Sequence, residues 1–315
     1  MPPKYLHHHE EFKELLSIAA RDQHINEPSL VEKDYWIMHV LYALQKQGWV
    51  FQLKGGTSLS KGFGIINRFS EDIDIKIDPL SGRDVKTGKN QDNPSQVKSR
   101  ESFFDWLAEE ISIPDIENIE RDRVFDDGKF RSAGIRLYYK SKFDPVIGLK
   151  PGILLEVGFD KTTPNTEVNI SSWAYDKALE KINDVMDNRA FGVHCYNPEY
   201  TFVEKLQTIS SKYRNFQETG KLSNNFLRHY YDVYKLIERP EIVAFIGTPE
   251  YLQHKKDRFK SLEMDLRKTD AFTLSSPEVF KKFEQEYLKT EIIYYNDFPK
   301  LSEILERIQK YLNRL

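Results

Sequence analysis

Two patterns of apolar and polar positions run along the chain, and they change over near residue 200. From about residue 10 to 45 apolar side chains recur at helical spacing, with a break around Asn26-Glu27-Pro28 before LVEKDYWIMHVLYAL resumes the pattern. Leu30, Ile37, Val40, Leu41 and Leu44 fall on or near one stripe, which predicts a helix packed on a sheet. On that helix Glu32, Lys33 and Asp34 read as a surface ion-pair network and Trp36 as a core aromatic. The stretch WVFQLKGGTSLSKGFGIINRFSEDIDIKI then predicts a strand over 49–53, a sharp turn at Gly55-Gly56, a short helix over 57–63 and a second strand over 73–77. Residues 80–100 lack apolar periodicity and set Arg83, Lys86, Lys89, Lys98 and Arg100 against Asp84 and Asp92, as expected of a mobile basic loop. Residues 101–112 read as helix, and GIRLYYKSKF and GILLEVGFD as two strands of a hairpin. After Tyr200 the segments TFVEKLQTISSKY, NNFLRHYYDVYKLIE, PEYLQHKKDRFKSLEMDLRK, PEVFKKFEQEYLKT and KLSEILERIQKYLN all carry helical spacing. The expected organisation is α+β, with a mixed-sheet domain over 1–198 and a helical domain over 199–315.

Composition narrows the class. With 315 residues, 39% of them apolar, the chain can bury a large core without disulfide or metal staples. The single cysteine, Cys195, excludes an intramolecular disulfide framework and a cysteine-rich zinc ribbon, and fits a reducing, cytoplasmic setting. The opening MPPKYLHHHEEF has no leader pattern and no segment approaches the length of a membrane span, so neither secretion nor a membrane partner is expected. A net charge of -3 argues against nonspecific coating of nucleic acid but leaves a local basic groove open. His7 to His9 read as a polar terminus, and Cys195 as a small core residue.

The chemistry concentrates around SEDIDIKI. Asp72 and Asp74 stand at i and i+2, so on a strand both carboxylates share one face and Ile73, Ile75 and Ile77 the other. Two carboxylates this close repel each other unless a hard cation such as Mg²⁺ lies between them. Upstream, Gly55 and Gly56 permit a bend and close ligand approach, and the helix that follows would aim free N–H groups at a phosphate. Thr57, Ser58 and Ser60 could add hydroxyl donors, Ser58 being preferred, and Lys54 and Lys61 electrostatic support. The segment is neither a Walker A loop nor a dinucleotide fingerprint, because the glycine spacings of both are absent. Glu156, preferred over Asp160, is the candidate third metal carboxylate. In the helical half, Lys205 could neutralise phosphate charge and Arg228 add affinity, with Asp232 orienting Lys205; a purely structural Lys205–Asp232 bridge is the alternative. Paired tyrosines such as Tyr230 and Tyr231 read first as packing residues.

Taken in order, VEKDYWI, LKGGTSLSKGFGIINRFSEDIDI, LLEVGF, TFVEKL and LRHYYDVYKL resemble the nucleotidyltransferase AbiEii/AbiGii toxin family of the polymerase-beta-type superfamily, over about residues 28–240. The resemblance matches Gly56 and Ser58 to a phosphate-binding turn, Asp72 and Asp74 to metal carboxylates, and Lys205 and Asp232 to the family's later lysine and acidic positions; Glu156 matches more loosely. It implies a polymerase-beta-type nucleotidyltransferase core followed by a helical region that completes the active-site cleft, Mg²⁺, and a nucleoside triphosphate donor. It further implies an RNA acceptor, the acceptor end of tRNA, and a toxin role in phage defence opposed by a cognate antitoxin. A non-catalytic Mg-nucleotide-sensing module or an RNA-binding scaffold is the alternative from another class.

Overall fold

A computed structural model describes residues 3–79, 82–146 and 148–315. In chain order the elements are α1 (Phe12–Asp22), α2 (Pro28–Lys46), β1 (Phe51–Lys54), α3 (Gly55–Thr57), β2 (Asp72–Ile77), α4 (Pro94–Glu110), β3 (Ile116–Asp122), β4 (Ser132–Tyr139), β5 (Ile153–Gly158), β6 (Asn165–Ile170), α5 (Trp173–Leu179) and β7 (Ala190–Tyr196). Six helices follow: α6 (Pro198–Thr219), α7 (Arg228–Ile237), α8 (Pro240–Phe245), α9 (Pro249–Arg258), α10 (Pro277–Leu288) and α11 (Leu301–Gln309). The residues group into two compact units, 1–63 with 69–196, and 64–68 with 197–315.

The first unit is built on a seven-stranded mixed sheet in the order β3-β4-β5-β2-β1-β7-β6. Its centre follows from β2, whose alternating DIDIKI buries Ile73, Ile75 and Ile77 on one face. This strand runs antiparallel to β1 and parallel to β5, and β5 pairs antiparallel with β4 as the expected hairpin. Against the sheet packs α2, which buries Leu30, Ile37, Val40, Leu41 and Leu44 together with Trp36. The surface ion-pair network expected on α2 is not there: Glu32, Lys33 and Asp34 are buried, because this helix is covered on all sides. Each charge is answered instead by a fixed partner. Glu32 accepts from the Ser141 hydroxyl at 2.7 Å and the Lys142 N–H at 2.8 Å, and Asp34 accepts from Lys61 at 2.8 Å and the Trp173 N–H at 3.0 Å.

The basic segment after β2 also departs from expectation. Leu80 and Ser81 lie outside the described residues, and from Pro94 onward the chain is already helix α4, started by an Asn93–Gln96 capping box. Arg100 is buried and donates to the carbonyls of Lys86 (2.5 Å) and Gln91 (2.7 Å), while Arg131 donates to those of Thr87, Gly88 and Lys89. Two arginines therefore bind the segment through its backbone, in place of a loose loop. The amino-terminal histidines differ as well: His7 is buried, stacked on Trp36 at 4.7 Å, so it belongs to the core of this unit.

In the second unit α6 and α7 pack together, α6 burying Phe202, Val203, Leu206 and Ile209 and α7 burying Tyr230, Val233 and Leu236. Tyr230 and Tyr231 are buried and spend their hydroxyls on the Ala271 carbonyl (2.7 Å) and Asp297 (2.9 Å), the packing role expected of them.

Candidate active site

The register of the sheet assembles the acidic face. Asp74 lies beside Glu156 and Asp72 beside Leu154 on the parallel pair β2–β5, so Asp72, Asp74 and Glu156 project from the same side. Ile73, Ile75, Leu155 and Val157 fill the opposite face and fix the strands beneath them. A cavity of about 210 Å³ opens over this face, lined by Asp74 and Glu156 with Lys54, Arg131 and Asp160 among its walls. Asp160 is drawn to Lys54, 2.9 Å away, at the strand's end.

Electrostatics show what the cluster lacks. Burial first, then the neighbouring Asp74 and Asp72 charges, push the Glu156 carboxyl up to about 8. The Oδ1 of Asp72 is buried with no hydrogen-bond partner in the described structure, while its Oδ2 accepts from Lys150 at 2.7 Å. A glutamate pushed toward its neutral form and an orphaned carboxylate oxygen on one face fit a hard divalent cation, which would answer both.

The glycine turn is shaped by the same carboxylates. Gly55 has φ +74°, and a Cβ there would stand 2.0 Å from Asp74 Oδ2, so only glycine lets the chain pass under this side chain. The helix it starts is a single turn, α3, continued by a π-helical turn over Ser58–Gly62. So short a helix carries little dipole, and an anion here would rest on the N–H groups of Gly55 and Gly56. The candidate hydroxyls are engaged elsewhere: Thr57 donates to the Asp72 carbonyl, tying the turn to β2, and buried Ser58 faces the Tyr196 carbonyl at 3.5 Å. Lys61 is held by buried Asp34 and lies over the Trp173 ring at 4.9 Å. Cys195 lies under the turn, buried against Gly62, as a core residue.

In the helical unit Lys205 and Asp232 meet at 2.9 Å, and a third member joins them. Arg68 clasps Asp232 with Nε at 2.6 Å and a terminal nitrogen at 2.8 Å. Burial alone would raise the Asp232 carboxyl, but Arg68 and Lys205 outweigh it and hold it well below the usual range. Arg228, at the start of α7, is also buried. Arg68 was not foreseen. It sits in an irregular run, RFSED, that offers no periodicity from which to infer a role.

A separate group lies near the amino terminus. His7, His8 and Asp115 each offer a ligand atom within 4.8 Å of one another, and among the described residues this is the grouping that could hold a divalent ion by that spacing. It shares no residue with the three carboxylates. Its hydrogen bonds already have a direction. His39 donates from Nε2 to the Pro114 carbonyl (3.0 Å), so its Nδ1 accepts from Asn188 (2.9 Å). Asn188 also donates to the Tyr35 oxygen (3.1 Å), and the Tyr35 hydroxyl to His7 Nδ1 (2.7 Å). His7 is left with an Nε2–H facing Asp115 at 2.9 Å, a proton that a metal would have to displace.

A mixed sheet whose central strands present an Asp-x-Asp pair and a neighbouring glutamate beside a glycine turn, followed by a helical region, defines a polymerase-beta-type nucleotidyltransferase. Over residues 39–307 the sequence matches the nucleotidyl transferase AbiEii toxin family of type IV toxin–antitoxin systems, and the chain belongs to that family. It is therefore a nucleotidyltransferase of a class of phage-defence toxins. Among solved structures, an antigenic nucleotidyltransferase-like protein from Paracoccidioides brasiliensis is similar over 73% of this chain and 94% of that one, at 14% identity and a TM-score of 0.36. No curated protein matches the sequence. Among the described residues no helix is long and apolar enough to cross a membrane.

Proposed function

We propose that the chain is a Mg²⁺-dependent enzyme that moves a nucleoside monophosphate from a nucleoside triphosphate to a hydroxyl of RNA, at the acceptor end of tRNA, inside the cytoplasm and under the control of a cognate antitoxin. The observation that carries this reading is the shared face of Asp72, Asp74 and Glu156, with Glu156 pushed up to about 8 by burial and then by its acidic neighbours. Asp72 and Asp74 would hold the ion with Glu156 as third ligand. Bound there, the ion would supply charge neutralisation at the α-phosphate and a more nucleophilic acceptor hydroxyl. Gly55 and Gly56 offer backbone N–H groups to the phosphates, with Thr57 and Ser58 shaping the turn. Lys61 adds positive charge within the sheet unit, and within the helical unit Lys205, which Asp232 orients, and Arg228 offer positive charge to an anionic ligand. The acceptor oxygen forms a bond to the α-phosphorus as the bond to the β-phosphate oxygen breaks, its proton passes to solvent, and pyrophosphate leaves.

The test is incubation of the purified protein with labelled triphosphates, Mg²⁺ and total cellular RNA. Asp72→Asn and Asp74→Asn are expected to lose transfer by at least about 100-fold with their thermal unfolding retained. Undiminished transfer in a folded double variant would overturn the reading.

A further inference from the structure

Lys150 lies in the connection between β4 and β5, just before Pro151 and Gly152. Its peptide groups are held by two buried charges. The Lys150 N–H donates to Glu71 Oε2 at 3.0 Å, and its carbonyl accepts from Lys33 Nζ at 2.7 Å. Lys33 and Glu71 are themselves 3.4 Å apart, at 3% and 2% exposure. Burying such a pair costs about as much desolvation energy as its attraction returns, so stability alone is a weak reason for it. What the pair accomplishes is geometric. It grips one residue's backbone from both sides, and that residue's ammonium lies 2.7 Å from Asp72 Oδ2 and 4.6 Å from the centre of the Phe125 ring.

We infer that Lys150 is a built-in counter-ion of the carboxylate cluster, competing with free divalent metal for Asp72, and that Lys33 and Glu71 are positioning residues acting through it. The inference rests on the metal-dependent reading above. An ammonium on Oδ2 meets part of the charge requirement that a divalent ion would meet, and the two cannot share that oxygen without repulsion. A bare cation on Oδ2 must displace Lys150 and leave it without this anion, and one on the unpartnered Oδ1 still meets the repulsion of the ammonium across the same carboxylate. A cation arriving on a triphosphate brings Lys150 a phosphate oxygen in exchange for the carboxylate it loses. The site therefore favours the metal–triphosphate complex over the metal alone, which couples cofactor loading to substrate arrival.

The probe is Mn²⁺, followed by the electron paramagnetic resonance of the free ion, titrated into the full chain without nucleotide. Lys150→Met is expected to bind Mn²⁺ about tenfold more tightly than the wild type, and Lys150→Arg to restore wild-type affinity. Lys33→Met should shift affinity in the same direction, and the Lys33→Met, Lys150→Met double variant should bind no more tightly than Lys150→Met alone. If Lys33→Met fails to fold, the two Lys150 variants decide the matter. With the Mn²⁺–tripolyphosphate complex as titrant, followed by calorimetry, Lys150→Met should bind about tenfold more weakly than wild type. A folded Lys150→Met protein that binds free Mn²⁺ no more tightly than a metal-binding wild type overturns the inference and leaves the metal reading standing. An unchanged or tighter affinity of that variant for the tripolyphosphate complex overturns coupled loading. If neither protein binds Mn²⁺, or if Asp74→Asn binds as the wild type does, the metal reading fails and the inference with it.

Discussion

At the scale of single residues, the strongest constraint is the contact between Gly55 and Asp74. A methyl group at 55 would meet the Asp74 carboxylate at 2.0 Å, on a backbone with φ +74° that side chains rarely adopt. Gly55→Ala should therefore cost more than about 1 kcal/mol in urea unfolding and, by moving Asp74, abolish nucleotide transfer. Retained stability with lost transfer would place the damage at the carboxylate; loss of neither would show that the turn can relax. This part of the site was legible in the sequence, because glycine pairs and D-x-D spacing mark backbone geometry directly. Lys150 and Arg68 were not. Each lies in an irregular segment, and their partners Asp72 and Asp232 are 78 and 164 residues away.

At the scale of elements, legibility followed solvent exposure. The central strand β2 announced itself through strict alternation, whereas β3 (IENIERD) and β6 (NTEVNI) sit at the two edges of the sheet and bury too few side chains to stand out. Helix α2 misled in the opposite sense. Its charges resemble those of a solvated face, and only the tertiary structure shows that each meets a partner inside. The same helix carries His39, which burial holds down to about 4 despite its bond to the Pro114 carbonyl. Between pH 6.5 and 4 the unfolded chain binds more protons at this site than the folded one, so stability is complete above 6.5 and declines as the pH falls. Chemical unfolding across that range should show the decline, and His39→Gln should make it shallower. On α7, Asp232→Asn would leave Arg68 and Lys205 buried without their anion, at a cost of about 3–5 kcal/mol. A variant as stable as the wild type would show that solvent reaches the pair.

At the scale of the whole molecule, the units do not follow the chain as two successive halves. Residues 64–68 group with 197–315, although they are encoded between the glycine turn and β2. The change in patterning near 198 does not disclose this grouping, because five residues are too few to show a period. A fragment spanning 197–315 thus lacks Arg68. It should unfold at lower urea concentration than the same helices in the full chain, as followed by helical circular dichroism with the sheet unit's contribution subtracted. Equal midpoints would show that the inserted residues add nothing to the helical unit.

The clasp of Arg68 on Asp232 also has a temporal side. During synthesis the arginine emerges 164 residues before its aspartate, and closing so large a loop must await nearly the entire intervening chain. Refolding from urea should therefore show the local helices of 197–315 forming before the clasp closes, and Arg68→Met should remove the later step while leaving the early gain of helical circular dichroism.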